Sequence, residues 1–175
     1  NVTLIGENKP CSGLILINNP AEDPDGPVIK LTDVRAVASK SVITSYAHEE
    51  ANDLCSYEDC IHFVYATVEI KGGYFETTSN DAYFGNENCI YLAACKGLIE
   101  GAEVVSKNGP CIHVAFSDFS GEAIKIKDCT VTSNFVDKGD ASKYWQGTAV
   151  AASLKGEIEI EGGTYTGLYA FSSLN

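Results

Sequence analysis

The strongest constraint on the fold of this 175-residue chain is an internal repeat of short apolar strands. The segments VEIKGGYFETTS, LIEGAEVVSK, IKIKDCTVTSN and IEIEGGTYTG share one plan, in which a strand, a small residue and a second strand follow one another. The apolar residues near the end of each first strand align in one column at intervals of 27 to 39 residues: Leu4, Leu31, Ile70, Ile99, Ile126 and Ile160. A loose period of this length is typical of a solenoid whose loops vary in length.

A third strand closes each repeat. The third strands read SGLILIN, IHFVYA, IYLAAC, IHVAF, TAVAAS and LYAFSS. Three short strands per repeat predict one coil of a parallel β-helix, in which each strand pairs with its counterpart about 4.8 Å away in the next coil. We therefore predict a single domain over residues 1–175, an all-β right-handed parallel β-helix (a solenoid) of about six coils with three short strands in each.

Stacked coils should place compatible side chains in columns. Three positions after the aligned apolar residue lie mostly small residues that suit a tight corner: Val34, Gly73, Ala102, Cys129 and Gly163. Two outer columns alternate in charge, one through Lys71, Glu100, Lys127 and Glu161, the other through Lys30, Glu69, Leu98, Lys125 and Glu159. Opposite charges on neighbouring strands contribute about 0.2–1 kcal/mol each and oppose slipped registers.

The inner face of the third strands predicts an apolar core. The expected inward positions are Ile61, Phe63, Tyr65, Ile90, Leu92, Ile112, Val114, Phe116, Ala149, Ala151, Tyr169 and Phe171. Side chains alternate between the two faces of a strand. His62, Tyr91 and His113 are therefore expected to face outward, where they form one candidate ligand-binding surface.

Four of the seven cysteines stand immediately before a third strand: Cys11, Cys60, Cys89 and Cys111, a column continued by Thr148 and Leu168. We predict a structural column of small, buried thiols at a corner. Two alternatives stay open. One is a disulfide, either between adjacent coils or locally between Cys55 and Cys60, and the other is a metal site that combines the column with His62 and His113. Because seven is an odd number, at least one thiol lacks a partner within the chain.

Three insertions interrupt the coils, at residues 18–27, 48–59 and 135–147. The last contains the single tryptophan, Trp145, next to Tyr144. An aromatic pair on a projecting loop either stacks on a sugar ring or covers the open edge of a core. Tyr144 and Trp145 form the second candidate ligand-binding site.

Composition limits the partners and cofactors. A formal net charge of −12 and a pI near 4.5 disfavour nucleic acid and anionic membrane surfaces, and no apolar run approaches the ~20 residues of a membrane-spanning helix. No cofactor is expected. Calcium is the one ion that the acidic, asparagine-containing loops would suit, although no D-x-[DN]-x-[DN]-G loop occurs. The absence of methionine, even at position 1, indicates a segment or a processed form of a longer protein.

At the coils VEIKGGYFETTS and IEIEGGTYTG, the sequence resembles the right-handed parallel β-helix (pectin-lyase-like) superfamily, which includes pectate lyases, polygalacturonases and many bacterial surface proteins. The Gly-Gly-aromatic coils are most similar to those of large surface proteins from Gram-positive gut bacteria. The resemblance spans nearly the whole chain, and it implies an architecture rather than an activity.

The catalytic elements of that superfamily have no clear counterpart in this sequence. A lyase of this fold would need clustered arginines and calcium-binding carboxylates, and the coils offer Arg35 beside Asp33. An inverting hydrolase needs two carboxylates roughly 6.5–9.5 Å apart, for which Asp33, Asp118 and Asp128 are candidates without a paired Asp-Asp element. No G-x-S-x-G motif occurs, and none of the three histidines is expected beside a serine that faces a pocket. No catalytic residue is assigned.

These features predict a non-enzymatic β-solenoid module of an extracellular or cell-surface bacterial protein that serves adhesion, spacing or assembly. The expected partners are a glycan, a host protein or another cell-surface protein, together with self-association through the solenoid ends, where backbone groups stay unpaired. Two alternatives stay open: a subunit of a filament made of copies stacked end to end, and a carbohydrate-binding or polysaccharide-degrading β-helix.

Overall fold

The computed structural model describes residues 2–6, 15–17, 26–38, 43–45, 60–78, 88–137, 139–140 and 145–174. Short strands make up nearly all of the regular structure in this part of the chain, and one four-residue helix, α1 (Ser117–Ser120), interrupts them. The strands are β1 (Thr3–Gly6), β2 (Ile15–Ile17), β3 (Val28–Thr32), β4 (Arg35–Ala38), β5 (Ile43–Ser45), β6 (Ile61–Val64), β7 (Thr67–Lys71), β8 (Tyr74–Thr77), β9 (Ile90–Ala93), β10 (Lys96–Glu100), β11 (Glu103–Ser106), β12 (Ile112–Ala115), β13 (Ile124–Lys127), β14 (Thr130–Ser133), β15 (Thr148–Ser153), β16 (Ile158–Glu161), β17 (Thr164–Thr166) and β18 (Tyr169–Leu174).

The strands form three parallel sheets, each made of equivalent strands from successive repeats. Sheet I has the order β16-β13-β10-β7-β3, sheet II the order β1-β4-β8-β11-β14-β17, and sheet III the order β18-β15-β12-β9-β6-β5-β2. From β7 onward the chain visits sheets I, II and III in turn, so three strands make one coil and each coil pairs with the next. The prediction of an all-β parallel β-helix with three strands per coil is confirmed.

The aligned apolar column is confirmed in five of its six members. Leu31 pairs with Ile70, Ile70 with Ile99, Ile99 with Ile126, and Ile126 with Ile160, all in sheet I. Leu4 was placed wrongly, because β1 belongs to sheet II and pairs Leu4 with Ala36. The segment NVTLIG is too short for its pattern to show whether its strand belongs to sheet I or to sheet II.

The longest interval in the repeat, between Leu31 and Ile70, contains a strand that the sequence pattern missed. This strand, β5, lies between β2 and β6 in sheet III and pairs with both in parallel. Sheet III consequently receives one strand more than sheet II and two more than sheet I.

A two-residue corner joins sheet I to sheet II in every coil. Its first residue has a positive φ throughout: Asp33 49°, Gly72 61°, Gly101 65°, Asp128 50° and Gly162 66°. Glycine and aspartate are among the residues that adopt this left-handed conformation most readily. The second corner residue is the predicted small one, and Val34, Ala102 and Cys129 are buried there. The catalytic candidates Asp33 and Asp128 therefore occupy positions that the corner geometry already explains.

A second left-handed position follows the strands of sheet III. Tyr65, Ala94, Phe116 and Leu154 have φ values of 52°, 50°, 58° and 47°. Tyr65 and Phe116 were expected inside the core, and this is wrong: both follow their strand at the corner and are half-buried. A left-handed residue breaks the alternation that the prediction extended past the end of the strand.

The core fills the space between the sheets. Ile61, Phe63, Ile90, Leu92, Ile112 and Val114 are at most 1% exposed, as predicted. In β15 the predicted inward pair is off by one residue, because Val150 pairs with Ile112 and Ala151 pairs with the outward His113. Ala149 and Ala151 are nevertheless buried. The run of small side chains in TAVAAS has no alternation that would fix its inward face.

Candidate functional site

The three outward residues predicted as a ligand-binding surface form a ladder on sheet III. His62 pairs with Tyr91 and Tyr91 with His113 in the strand register. The ring centroids of His62 and Tyr91 are 4.8 Å apart, and those of Tyr91 and His113 are 5.1 Å apart in an edge-to-face arrangement. The structure thus brings the three rings together, and ligand binding by them stays a prediction. His62 is buried, and Tyr91 and His113 are half-buried.

His113 also bonds to two residues that the sequence did not single out. Its Nδ1 atom lies 3.1 Å from Asn88 Oδ1, and its Nε2 atom lies 2.7 Å from Ser153 Oγ. Since Asn88 Oδ1 accepts, Nδ1 carries the proton, and Nε2 accepts from the Ser153 hydroxyl. Burial lowers the pKa of His113 to about 4, so the ring is neutral near pH 7.

No histidine was expected beside a serine that faces a pocket; His113 does contact a serine, the half-buried Ser153. Serine, imidazole and amide follow one another in the order that acyl-transfer enzymes use. A general base works best with a pKa near the working pH, however, and an imidazole with a pKa of about 4 is a weak one. Asn88 precedes β9, and β12 and β15 carry His113 and Ser153, so the two bonds connect three successive coils. We therefore interpret the bonds among Ser153, His113 and Asn88 as contacts that hold neighbouring coils together and not as a catalytic site.

A polar bond between coils also occurs in sheet II. Thr77 Oγ1 donates to Ser106 Oγ at 3.1 Å, and both side chains are buried. A single sequence does not show which small polar residues form hydrogen bonds between coils. Asn88 and Ser153 were missed for this reason.

The predicted thiol column exists in the described coils. Cys60, Cys89 and Cys111 are fully buried and free, and each precedes one of three isoleucines that pair in sheet III. Burial raises the pKa of Cys89, and it raises that of Cys111 to about 12. The predicted continuation of the column through Thr148 and Leu168 is wrong. Because Ile112 pairs with Val150, the residue next to Cys111 in the following coil is Ala149 and not Thr148. Cys11 and Cys55 lie outside the described residues.

Within the described part of the chain, no group of three or more His, Cys, Asp or Glu side chains is arranged to hold a metal ion. Among the same residues, no helix has the length and apolarity to cross a membrane.

The predicted aromatic pair is described in part. Trp145 begins a short turn, Trp145–Gly147, and is half-buried, whereas Tyr144 lies outside the described residues. The Ser133 hydroxyl donates to the Gln146 carbonyl at 3.5 Å, which attaches this turn to sheet II.

The outer face of sheet I carries the alternating charges that the sequence predicted. Glu69 forms ion pairs with Lys30 at 2.9 Å and with Lys71 at 2.6 Å. Hydrogen bonds from Lys71 and Lys30 hold the pKa of Glu69 down to about 2. Further along the stack, Lys127 pairs with Glu100 at 3.3 Å and Lys125 with Glu159 at 3.5 Å. Leu98 replaces a charge in one column, and a shallow groove of about 300 Å³ lies above it.

The last coil, β16 to β18, has several exposed apolar side chains, and we call this end of the solenoid the C-terminal face. Ile160 is 40% exposed, whereas Ile126, its partner in the column, is fully buried. Phe171 is 52% exposed, although it pairs with the buried Val150. Tyr165 packs against Phe171 with ring centroids 5.2 Å apart. Four of the eight large apolar residues that are exposed in the described part of the chain lie in this coil: Ile160, Leu168, Tyr169 and Phe171.

Comparison of the chain with protein-family models, with curated proteins and with solved structures gave no match. Function is therefore inferred from the geometry of the chain itself.

Proposed function

We propose that this chain is a structural β-solenoid module whose C-terminal face docks a further β-strand layer, so that it serves spacing or assembly. The observation that carries the proposal is the exposure of Ile160 and Phe171, whose partners in the preceding coil, Ile126 and Val150, are buried. Such side chains gain roughly 25 cal/mol for each Å² of apolar surface that a partner covers.

The backbone supports the same interpretation. Each strand of the last coil is the outermost strand of its sheet at this end, as the orders of the three sheets show. A parallel edge strand presents backbone N–H and C=O groups that a further strand can pair. Backbone hydrogen bonds to a further strand and contacts between apolar side chains would therefore form on the same surface.

The opposite end has a different shape. Sheets I, II and III have five, six and seven strands, and all three reach the last coil, so the extra strands of sheets II and III extend at the other end. At that end the inward residue Ile29 of the edge strand β3 is only 7% exposed. In the described part of the chain, all three sheets reach the last coil but not the opposite edge, so the two edges do not match in cross-section, which disfavours copies stacked head to tail.

The remaining parts of the proposal come from the sequence. We infer membership of the pectin-lyase-like superfamily from its coils, together with an extracellular or cell-surface location and a role in adhesion. The carbohydrate-binding alternative receives less support. Trp145 is half-buried, and Tyr91 is half-buried between two imidazoles, so each ring offers less surface for sugar stacking than an exposed aromatic side chain would.

A binding experiment tests the docking function. The probe is a fluorescent peptide with the sequence of residues 122–134 and a Cys129→Ser change, which reproduces two strands of this solenoid. We expect saturable binding to the full chain by fluorescence anisotropy, and a loss of about tenfold or more in affinity in the Ile160→Lys, Phe171→Lys double variant. Val136→Lys is the matched control, because Val136 is 68% exposed and belongs to no strand.

The same preparation tests the filament alternative. Sedimentation velocity over a concentration series should show a monomer. Long polymers that disappear in the double variant would support end-to-end copies, whereas binding of the peptide that is equal in the double variant and in the Val136→Lys control would refute docking at the C-terminal face.

A further inference from the structure

Two of the stacked thiols at the corner before sheet III lie close enough to react with each other. Cys60 stands directly before β6 and Cys89 directly before β9, two neighbouring strands of sheet III. The Cys60 N–H group donates to the Asn88 carbonyl at 3.3 Å. The next N–H group, that of Ile61, donates to the Cys89 carbonyl at 2.8 Å. The two cysteines are therefore one strand separation apart, which is about 4.8 Å.

This spacing suits a disulfide bond. The Cα atoms of bonded cysteines are usually about 4.4–6.8 Å apart, so the pairing of β6 with β9 already meets the condition on the backbone. The side chains also meet, because the thiols of Cys60 and Cys89 are in hydrogen-bond contact. Both residues are fully buried and free. The structure thus holds two adjacent thiols that a single covalent bond can join.

Cys111 extends the column but its thiol has a different contact. It lies one strand beyond Cys89, because the Ile90 N–H group donates to the Cys111 carbonyl at 2.8 Å. Its thiol is hydrogen-bonded to the backbone of Ser106 in sheet II. The orientation of the thiols therefore selects Cys60 as the partner of Cys89, and it leaves Cys111 as a thiol.

Burial favours a disulfide over a metal ion bound by the same thiols. It raises the pKa of Cys89, because the thiolate would lose its solvation in the core. A metal ion would require thiolate ligands, and it would therefore bring charge into an apolar environment. A disulfide is neutral. It replaces two buried thiols without placing a charge in the core.

We propose that Cys60 and Cys89 form a disulfide bond between successive coils when the chain folds in the presence of a small-molecule disulfide such as oxidised glutathione. One cysteine thiolate attacks the oxidant and releases one glutathione thiolate, and the second cysteine thiolate displaces the other from the mixed disulfide. One S–S bond forms in the chain and one breaks in the oxidant. The chain gives up two electrons and two protons, and two molecules of reduced glutathione receive them.

The bond would fasten one complete coil. Residues 60–89 contain β6, β7 and β8, which is one strand from each sheet. A cross-link across a loop of this length restricts the unfolded chain and so stabilises the folded one. The extracellular location included in the proposed function would keep such a bond oxidised. The site itself does not depend on docking at the C-terminal face.

Refolding in a glutathione buffer tests the bond. The reduced full chain is unfolded in urea, refolded by dilution into reduced and oxidised glutathione, and then alkylated with iodoacetamide in urea. Peptide mass spectrometry without reduction should find peptides joined through Cys60 and Cys89, and it should find Cys111 alkylated. The oxidised chain should unfold at a urea midpoint about 1 M or more above that of the reduced chain.

Alanine variants supply matched controls. Alanine fits the column, since Ala149 is the residue next to Cys111 in the following coil. Cys89→Ala should remove the linked peptides and the difference in midpoint between the oxidised and reduced chains. Cys111→Ala should retain both. Cys95→Ala should also retain both, because the buried Cys95 thiol bonds to backbone carbonyls of its own surroundings.

The wild-type chain alone can overturn the proposal, so the test does not depend on the folding of a variant. Alkylation of Cys60 and Cys89 as free thiols after refolding with oxidised glutathione would refute the bond. A bond from either cysteine to another partner, such as Cys111 or Cys55, would refute the pairing. An oxidised chain with a lower urea midpoint would show that the bond does not fit the folded coil. None of these results bears on docking, which peptide binding to the reduced chain measures separately.

Discussion

The Nε2 atom of His113 lies 2.7 Å from the hydroxyl oxygen of Ser153, which is 40 residues further along the chain. The bond joins β12 to β15, two strands that are neighbours in sheet III. A contact at this separation in sequence is short in space because a coil returns the chain to the same position one strand away. The distance between His113 and Ser153 therefore shows directly that β12 and β15 stack in neighbouring coils.

Replacing Ser153 tests whether the bond is structural. We expect Ser153→Ala to lower the free energy of unfolding by about 1–2 kcal/mol, because it leaves the half-buried Nε2 atom without its donor. Ser173→Ala, at an exposed serine of β18, is the control and should change stability little. Urea denaturation measures both. A fluorophosphonate probe should leave Ser153 unlabelled, and labelling that requires His113 would indicate a catalytic role instead.

The depressed pKa of His113 predicts a pH dependence of stability. The ring has a pKa of about 4 in the folded chain against 6.5 for an unperturbed group, so the unfolded chain binds the proton first as the pH falls. Stability from this group is complete above pH 6.5 and is lost as the pH falls towards 4, by about 2–3 kcal/mol at pH 4.5. Urea denaturation at pH 7 and pH 4.5 should show this loss in the wild type and a smaller one in His113→Gln. An equal loss in both proteins would mean that other groups cause it.

The corner glycines offer a matched pair of substitutions. A Cβ atom at Gly73 would lie 2.5 Å from the Val34 carbonyl oxygen, and φ is +91° there. At Gly101 the nearest atom to a Cβ is 4.0 Å away and φ is +65°. We expect Gly101→Ala to lower the free energy of unfolding by about 1–2 kcal/mol for the left-handed conformation alone. Gly73→Ala should cost clearly more, and similar values in thermal or urea denaturation would contradict the close approach of the two coils.

Tyr165 predicts a substitution that does not destabilise. Its hydroxyl is buried and has no hydrogen-bond partner among the described residues. Tyr165→Phe should therefore leave the stability unchanged or raise it by about 1 kcal/mol, because an unpaired buried polar group is removed. Tyr74→Phe is the control, since the Tyr74 hydroxyl donates to Glu76 at 3.0 Å and its removal loses a bond. A marked loss in Tyr165→Phe would reveal a partner for the hydroxyl.

The thiol column predicts low reactivity in the folded chain. Cys60, Cys89 and Cys111 are buried, and the raised pKa of Cys89 and Cys111 keeps both as thiols near pH 7. Only the thiolate reacts readily. Iodoacetamide followed by peptide mass spectrometry should find these three residues unmodified under native conditions and modified in urea. Rapid native labelling of Cys89 would show that the column opens.

The sequence predicted the features that repeat and missed those that do not. The apolar column, the corner positions and the charge columns recur in several coils, so each copy supports the others, and Lys125 and Glu159 were placed opposite each other correctly. β5 occurs once and has no repeat to identify it. The face of β15 was misjudged because its alanines give no alternation, and the bond between Asn88 and His113 depends on ring orientation, which spacing alone does not define.

The alternation of charge between coils has a consequence for how such a chain can change length during evolution. Removing one whole coil would preserve the cross-section but would bring lysine against lysine, or glutamate against glutamate, along the column of Lys71, Glu100, Lys127 and Glu161. Duplicating two neighbouring coils together keeps this column paired, whereas deleting the coils of Leu98 and Lys125 would bring Glu69 against Glu159 in the other column. Natural variants of this solenoid that are longer should therefore exceed it in steps of about 9.6 Å, twice the separation of neighbouring strands.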